Sequence, residues 1–254
     1  MKTTLTALFL VCVCTSTLLA QSTAGTNATQ EARYLYNLPT AGLFKRGTYA
    51  IEGWAFSSGG VMLSASVGIA DKFAFGASYG AGNVIGSGAP SWNRLPGVMA
   101  RYRLLDEDLA TPALTLGFDS QGRGNFIDSL NRFERKAPGF FVALSKNFEF
   151  LGFLTLHAGV NYSILERQDD PNANAYLGVE KTIGADLTIY LQYDAAFNDD
   201  RPTTTRGRGF LDIGARWSLG SGITLELNLT NLNDNQTQVS SFGRNFRLEF
   251  VQSF

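Results

Sequence analysis

The side chains of this chain that could carry out chemistry are polar residues spaced two positions apart, in rows that alternate with apolar rows. The single histidine, His157, excludes multi-histidine metal sites, and the residues two positions away, Thr155 and Gly159, are neither acids nor serines. We therefore expect ion pairs and hydrogen bonds along one surface, with no catalytic residue, metal site or cofactor. The candidate polar residues of that surface are Glu52, Arg101, Arg103, His157, Glu180, Asp194, Asp212, Arg216, Glu226, Arg247 and Glu249.

Alternation with a period of two residues organises the chain from about residue 46 to its end. For example, Ile223, Leu225, Leu227 and Leu229 alternate with polar residues, which is typical of a strand with one apolar and one polar face. About twelve such strands are predicted, each near the roughly 9–11 residues that cross a bilayer when tilted. They span 47–57, 61–70, 72–81, 96–104, 109–119, 138–147, 152–164, 173–182, 185–196, 208–219, 222–232 and 244–254.

The connections between these strands alternate in length from the third strand onward. Outer-membrane barrels have this asymmetry, with tight periplasmic turns and longer external loops. The sequence thus predicts an all-β, antiparallel up-and-down transmembrane β-barrel over residues 47–254, with both termini in the periplasm. A soluble β-sandwich is the alternative, but its loops have no reason to alternate in this way. The predicted short turns are 70–71, 105–108, 148–151, 183–184 and 220–221, and the long loops are 82–95, 120–137, 165–172, 197–207 and 233–243.

Residues 1–20 are typical of a secretory signal peptide, because a minimal charged start precedes an apolar core that is short for a membrane-spanning helix. Both cysteines of the chain, Cys12 and Cys14, lie in this segment. The exported chain is therefore expected to contain no disulfide. The sequence leaves open whether residues 21–46 form a periplasmic lead or a partial plug that enters the lumen.

The charges are nearly balanced, with 21 Lys and Arg against 22 Asp and Glu and a net charge of −1. This balance gives no electrostatic basis for binding nucleic acid. One tract, RPTTTRGRG at 201–209, is locally basic. We interpret it as a solvated external loop, with contact to lipopolysaccharide phosphates as the alternative.

The last predicted strand carries a pattern that is typical of barrel assembly. The chain ends RNFRLEFVQSF, in which Phe246, Leu248, Phe250 and the terminal Phe254 share one face. This pattern is similar to the C-terminal signal by which outer-membrane proteins are recognised, although Gln252 stands where an apolar residue is usual. We therefore expect the barrel-assembly machinery and outer-membrane lipid among the partners of the chain.

Three segments resemble the YjbH-like family of outer-membrane proteins. NLPTAGLFKRGTYAIEGWAF (37–56) is similar to the start of those proteins, where a Pro-Thr/Ser-Ala step precedes the first strand. PALTLGFDSQGRGNF (112–126) and GFFVALSKNF (139–148) are similar to that family's hairpin, which ends near a Ser-Lys pair, here Ser145 and Lys146. The matched segments cover about a fifth of the chain, which would be a short, single-barrel version. The resemblance implies an outer-membrane barrel associated with exopolysaccharide production or export, and it implies no catalytic residues.

Three functions are compatible with such a barrel. The first is a passive or accessory conduit, linked to exopolysaccharide export, which implies a saccharide partner and a wet lumen. The second is a plugged structural or adhesion barrel that acts through its external loops 82–95 and 120–137. The third, least favoured, is a barrel hydrolase, which requires a serine or paired acids within hydrogen-bond reach of His157. For the polar rows we favour charge pairs that fill the lumen over a path for a hydrophilic solute.

Overall fold

The structure is a computed structural model that describes residues 21–168, 170–202, 204–237 and 242–254. The predicted signal peptide, residues 1–20, lies outside the described residues. Within the described part, twelve antiparallel strands close into a β-barrel, which confirms the predicted fold class. No helix in these ranges is long and apolar enough to cross a membrane.

Fifteen strands form in the described residues, together with one short 3-10 helix at Ile164–Glu166. The strands are β1 Thr48–Ala55, β2 Val61–Ala70, β3 Phe73–Gly82, β4 Ser91–Trp92, β5 Gly97–Leu105, β6 Ala113–Asp119, β7 Arg123–Ile127, β8 Arg132–Arg135, β9 Gly139–Glu149, β10 Phe153–Tyr162, β11 Asn174–Ile183, β12 Leu187–Asp194, β13 Phe210–Gly220, β14 Ile223–Thr230 and β15 Gly243–Ser253. All except β4, β7 and β8 belong to the barrel, in which each strand pairs with the next and β15 pairs with β1.

The alternation of the sequence appears directly in the barrel wall. In β14, the side chains of Glu226 and Asn228 are buried in the interior, whereas Leu227 between them is 58% exposed on the outside. The other strands repeat this arrangement, so large apolar side chains such as Leu63 and Leu177 cover the outer surface. An exposed apolar surface of this extent is the property of a barrel that faces lipid.

The observed bounds of the barrel strands agree with the predicted ones to within two residues, except at the start of β6. The predicted strand 109–119 begins at Ala113, because the preceding residues form a seven-residue turn rather than the predicted short one. Asp108 holds this turn through its Oδ1 atom, which accepts the N–H groups of Ala110 and Thr111 at 2.8 Å each. Hydrogen bonds from Thr111 and Ala110 keep the pKa of Asp108 below its usual value. Leu109, which fitted the strand pattern, is fully exposed in the turn.

The two ends of the barrel differ in their connections. Five connections lie on the side where the chain ends, called the short-turn side here, and six lie on the opposite side, called the external side after the predicted orientation. Five of these six are longer than any connection on the short-turn side. The predicted external loop 120–137 contains the additional hairpin β7–β8, which pairs Arg123 with Arg135 and Phe126 with Phe133. This hairpin forms a second, separate sheet at the external end.

Candidate functional site

Residues 21–46, called the plug from here on, lie inside the barrel. Near the short-turn side the N–H of Gly25 donates a hydrogen bond of 2.9 Å to Thr188 Oγ1. Residues 33–40 then form a small hairpin, held by two backbone hydrogen bonds of 3.0 Å, whose tip places Tyr36 at an external cavity. The chain returns to β1 through Phe44, which is fully buried. The lumen is therefore occupied by the protein's own chain.

The Pro-Thr-Ala-Gly step at 39–42 is fastened to the barrel wall by its backbone. Each of its four carbonyl groups accepts at least one hydrogen bond from a side chain of the wall. The donors are Tyr176 to Pro39 O (2.8 Å), Arg101 to Thr40 O and Gly42 O (3.1 Å each), and Arg103 and Thr115 to Ala41 O (2.7 Å each). Such bonds satisfy carbonyl groups that would otherwise be buried without partners.

Arg33 of the plug joins the two strands that close the barrel. Glu52 of β1 and Glu249 of β15 are direct partners across this seam. Arg33 forms an ion pair with Glu52, and its Nη2 atom lies 3.0 Å from Glu249 Oε1. All three side chains are at most 5% exposed. Because unpaired buried carboxylates are costly, Arg33 compensates two charges that the wall alone leaves side by side.

Two glycines of the wall make room for the plug. A Cβ atom at Gly68 would lie 2.1 Å from the carbonyl oxygen of Lys45 and 2.6 Å from that of Phe44. A Cβ atom at Gly178 would lie 2.1 Å from Cδ1 of Leu35. The wall thus fits closely around the plug at two places, at Phe44 and Lys45 before β1 and at Leu35 near the hairpin tip.

The structure places all eleven polar candidates on inward-facing positions. Ten are at most 8% exposed, and the side chain of Glu180 is 12% exposed. They fall into groups by partner. The residues that contact the plug are Glu52, Glu249, Arg101 and Arg103. Those that contact one another are Glu180, Arg216, Glu226 and Arg247. Three have single partners in this grouping: Asp212 contacts Arg135, Asp194 contacts Asn174, and His157 contacts Ser145.

The second of these groups is a chain of alternating charges across β11 to β15. Arg216 donates from Nη1 to Glu180 Oε1 at 2.6 Å and from Nε to Glu226 Oε2 at 2.9 Å. Glu226 also forms an ion pair with Arg247, and it accepts a bond of 2.7 Å from the Tyr190 hydroxyl. The charges are paired with one another inside the wall, which is the arrangement expected of a filled lumen.

The serine required by the hydrolase hypothesis is present. Ser145 and His157 are direct partners across β9 and β10, and the Ser145 hydroxyl lies 2.7 Å from His157 Nδ1. On the other side of the ring, His157 Nε2 lies 3.9 Å from Glu180 Oε1. The same hydroxyl accepts the N–H of Ala41 at 2.9 Å, so this pair also holds the plug. In the described ranges, no group of three His, Cys, Asp or Glu is placed to hold a metal ion.

Two cavities of more than about 200 Å³ lie beside the plug, one at each end, and smaller ones of about 20 and 30 Å³ lie along it. The cavity at the short-turn side has a volume of about 300 Å³ and lies between the plug and the wall near Ser145 and Thr188. The external cavity has a volume of about 230 Å³. The two share no lining residue, and the plug lies between them.

The external cavity combines aromatic and polar side chains. Its aromatic members are Tyr36 from the plug tip, Phe56 and Phe242. Arg123 and Arg135 contribute guanidinium groups, and Glu134, Asn245 and Gln236 contribute oxygen and amide groups. Pockets of this type offer apolar contact for the face of a small ligand and a few polar groups that orient it.

The hairpin β7–β8 covers the external mouth and is joined to two other loops. Arg132 donates from Nη1 and Nη2 to the two carboxylate oxygens of Asp199, at 2.6 Å each, and both side chains are buried. Glu166 accepts the N–H groups of Phe133 at 3.0 Å and Ala137 at 2.8 Å. Burial raises the pKa of Glu166 to about 7. The mouth is therefore closed by buried contacts rather than by loops in open solvent.

Several residues of the site were missed by sequence reasoning. Arg33, Tyr34 and Tyr36 lie in the segment whose position was left open, and Arg132 and Arg135 lie in a stretch predicted as loop. The available signal was composition: RYLYNLPTAGLF at 33–44 is rich in apolar and aromatic residues, which a solvated lead does not need.

The four residues of the predicted assembly signature lie on β15 or directly after it. Phe246 and Leu248 are 38% and 44% exposed on the outer wall, and the terminal Phe254 is 88% exposed. The ring of Phe250 contacts Tyr49 across the seam, with centroids 6.4 Å apart. The pattern therefore faces outwards at the strand that closes the barrel.

No protein-family model and no curated protein matches the chain. Among solved structures, the chain is similar to the KdgM porin in complex with disordered oligogalacturonate, at 11% identity and a TM-score of 0.51, covering 82% of this chain and 99% of that one. A second KdgM porin structure has a TM-score of 0.47 at the same identity and coverage. A NanC porin structure has a TM-score of 0.37 at 11% identity, covering 81% and 99% of the two chains. The first of these likenesses establishes that the chain has a porin-type barrel fold.

Proposed function

We propose that the chain is an outer-membrane barrel that serves exopolysaccharide production or export as an accessory conduit, closed at rest by its own plug. The apolar outer wall supports the membrane location, and the resemblance of 37–56, 112–126 and 139–148 to YjbH-like proteins supports the exopolysaccharide link. The single observation that carries the proposal is the plug, which separates the external cavity from the cavity at the short-turn side.

In this proposal, saccharide meets the protein at the external cavity. Tyr36 and Phe56 offer flat apolar faces, and Arg123 and Glu134 offer groups that bind hydroxyl or carboxylate oxygens. Because Tyr36 belongs to the plug, a ligand in this cavity touches the element that closes the lumen. Conduction then requires that residues 33–44 leave their position.

Conductance of the mature chain in a planar bilayer tests the proposal. We expect the wild-type barrel to insert and to conduct little, and a variant that lacks residues 21–44 to conduct steadily. Oligosaccharide added on the external side should reduce the current of the deletion variant. Heat-dependent gel mobility establishes first that each variant has folded. A wild-type barrel with steady open conductance would overturn the closed resting state.

A second variant covers the case in which the deletion does not fold. Gly68→Val keeps the whole chain and displaces the end of the plug that leads into β1, because its side chain would meet the Lys45 carbonyl oxygen. Current in Gly68→Val without current in the wild type supports closure by the plug. If both folded barrels stay silent, an accessory conduit is excluded under these conditions and the second function gains weight.

The second function is a plugged barrel that acts through its external loops. It is favoured by the buried ion pair of Arg132 with Asp199, which fixes the external hairpin in one position. Deletion of loop 82–95 should then abolish binding to surface polysaccharide while heat-dependent mobility remains. Deletion of the short turn 150–152, replaced by a two-residue turn, is the matched control on the other side.

The contact of Ser145 with His157 favours the third function, a hydrolase, and a fluorophosphonate probe tests it directly. A serine activated by histidine reacts with such a probe, and Ser145→Ala and His157→Ala would abolish the reaction. We expect no labelling, since the Ser145 hydroxyl is already bonded to the Ala41 N–H inside the lumen. Stoichiometric labelling of Ser145 in the folded barrel would overturn the assignment as a non-enzyme.

A further inference from the structure

The outer wall contains an apolar groove with a volume of about 450 Å³. Small side chains on neighbouring strands, Ala158, Ala175 and Ala195, leave the depression. Larger apolar side chains form its borders, namely Val142, Leu144, Val160, Leu177, Tyr193 and Phe197. Because most outward positions of this barrel carry large side chains, a cluster of three alanines makes a local gap in the surface.

The groove lies at the external end of the strands. Val160 pairs with Ala175 two residues from the end of β10, and the N–H of Ala195 donates to Ala175 O at 3.0 Å just beyond β12. Phe197, which borders the groove and is 55% exposed, belongs to the loop 195–209. In a membrane, the groove therefore lies in the external leaflet, next to the headgroup region.

The loops above the groove carry exposed guanidinium groups. The hydroxyl of Tyr193, at the groove border, donates to the backbone oxygen of Arg208 at 3.1 Å, which places the basic tract 201–209 directly at the groove. Arg201 and Arg208 are exposed, as is Arg167 on the loop that joins β10 and β11. Among the described residues of these two loops, the exposed Arg167, Arg201 and Arg208 outnumber the exposed carboxylates, of which Asp200 is the one.

We propose that this groove is a binding site for an anionic lipid of the external leaflet, with one acyl chain in the groove and a phosphate on the arginines above it. Guanidinium groups bind phosphate oxygens in pairs, and a lipid with uncompensated phosphates binds them more strongly than a zwitterionic lipid, whose single phosphate is offset by its own ammonium group. Within a bilayer the gain comes from van der Waals packing, because lipid tails are as apolar as the wall itself. A chain that fills the gap left by the three alanines makes more of these contacts than a chain on a wall of large side chains. This inference rests on the proposed outer-membrane location, but it requires no conduction.

The site also connects lipid to the closed mouth. Loop 195–209 includes Asp199, whose carboxylate binds Arg132 of the external hairpin. A lipid that holds this loop against the wall stabilises the partner of that ion pair. Loop 195–209 thus contacts both the groove and the hairpin β7–β8.

Native mass spectrometry of the folded barrel, with diphosphoryl lipid A and phosphatidylcholine as probes, tests the proposal. We expect one molecule of diphosphoryl lipid A to stay bound under conditions that remove phosphatidylcholine. Ala175→Trp fills the groove and should reduce this retention by about tenfold, since the indole ring occupies the space in which the acyl chain packs. Arg208→Glu should reduce retention of lipid A and leave phosphatidylcholine unchanged.

Ala65→Trp is the matched control, because Ala65 faces outwards on β2, outside the groove. Equal retention by the Ala175→Trp and Ala65→Trp variants would overturn the site. Failure of all variants and the wild type to insert or to show heat-dependent mobility would instead overturn the proposed membrane location. The two failures are therefore distinguishable in one set of samples.

Discussion

Glu52 and Glu249 face each other across the seam where the first and last strands close the barrel, and Arg33 of the plug binds both. Directly opposed like charges destabilise a pair of strands. Here Arg247 of β15 offsets part of the repulsion, and Arg33, which belongs to neither strand, makes the direct contacts with both carboxylates. The seam of the wall is therefore complete only when the plug is in place.

Replacement of Arg33 should weaken the closed barrel. Arg33→Ala removes the cation that contacts both Glu52 and Glu249 and leaves Arg247 of the wall as the nearby positive charge, and we expect a loss of about 3 kcal/mol in the free energy of unfolding. The transition from folded to unfolded gel mobility, followed against temperature or denaturant, measures this loss. Arg46→Ala, at an exposed position of the same segment, serves as the control.

A second substitution tests whether the effect of Arg33→Ala comes from the lost charge or from the lost side-chain volume. In the Arg33→Ala background, Glu52→Gln removes one of the two opposed charges and should restore part of the stability. If the double variant is as unstable as Arg33→Ala alone, the seam charges are not the cause of the effect.

The two glycines of the wall should respond differently to the same change. Gly68→Ala brings a methyl group against the backbone oxygens of Lys45 and Phe44, which cannot rotate away, so the plug must shift. Gly178→Ala meets only the end of the Leu35 side chain, which can change rotamer. We expect faster hydrogen exchange at residues 33–46 in Gly68→Ala and little change in Gly178→Ala. Equal exchange in both variants would contradict the role of Gly68.

The buried ion pair of Arg132 with Asp199 should contribute more to the free energy of unfolding than an exposed ion pair does. Asp199→Ala removes two buried charge-assisted hydrogen bonds of Arg132, and we expect about 3 kcal/mol less stability together with protease cleavage within 120–138. Arg206 and Asp234 form an exposed pair, with side chains 37% and 58% accessible. Arg206→Ala should therefore change stability by less than about 1 kcal/mol. Similar losses from both substitutions would show that the hairpin does not depend on the buried pair.

The hairpin β7–β8 at the external mouth should become less stable as the pH rises from 4.5 to 7. Burial raises the pKa of Glu166 in the folded chain to about 7, above the ordinary value of 4.5. The folded state then holds the proton more tightly than the unfolded state, so the stabilisation is complete below pH 4.5 and is lost as pH rises through 7. A shift of this size corresponds to roughly 3 kcal/mol.

Denaturant unfolding at several pH values between 4 and 8, with the hairpin as the reporter, measures this slope. Glu166→Gln cannot ionise and should flatten the dependence on pH. If the variant keeps the slope of the wild type, another group is responsible for it.

The barrel could be predicted from the sequence because its physics is local. Lipid on one side and a polar interior on the other impose a period of two on every strand. Strand β14, from Ile223 to Thr230, can therefore be predicted without knowledge of its neighbours. The one clear error, at Leu109, came from a turn whose apolar residues continue the pattern while Asp108 bends the backbone.

The site was harder to predict because its contacts join residues far apart in sequence. The position of Ser145 beside His157 follows from the register of β9 and β10, which a short turn fixes, but the bond of Ser145 to Ala41 spans 104 residues. Nothing in the pattern around Ala41 states which wall residue it meets. The hairpin β7–β8 was missed for a related reason, since its strands are short and its burial depends on loops elsewhere.

The seam bridged by Arg33 also sets an order on assembly. Strands β1 and β15 come from opposite ends of the barrel sequence, so their pairing is the most distant contact of the wall and the slowest to form. Until Arg33 arrives, the two open edges present facing carboxylates that repel each other and also discourage pairing with another chain. We therefore expect closure to be more favourable with the plug inside than around an empty lumen, since Arg33 is the residue that contacts both carboxylates.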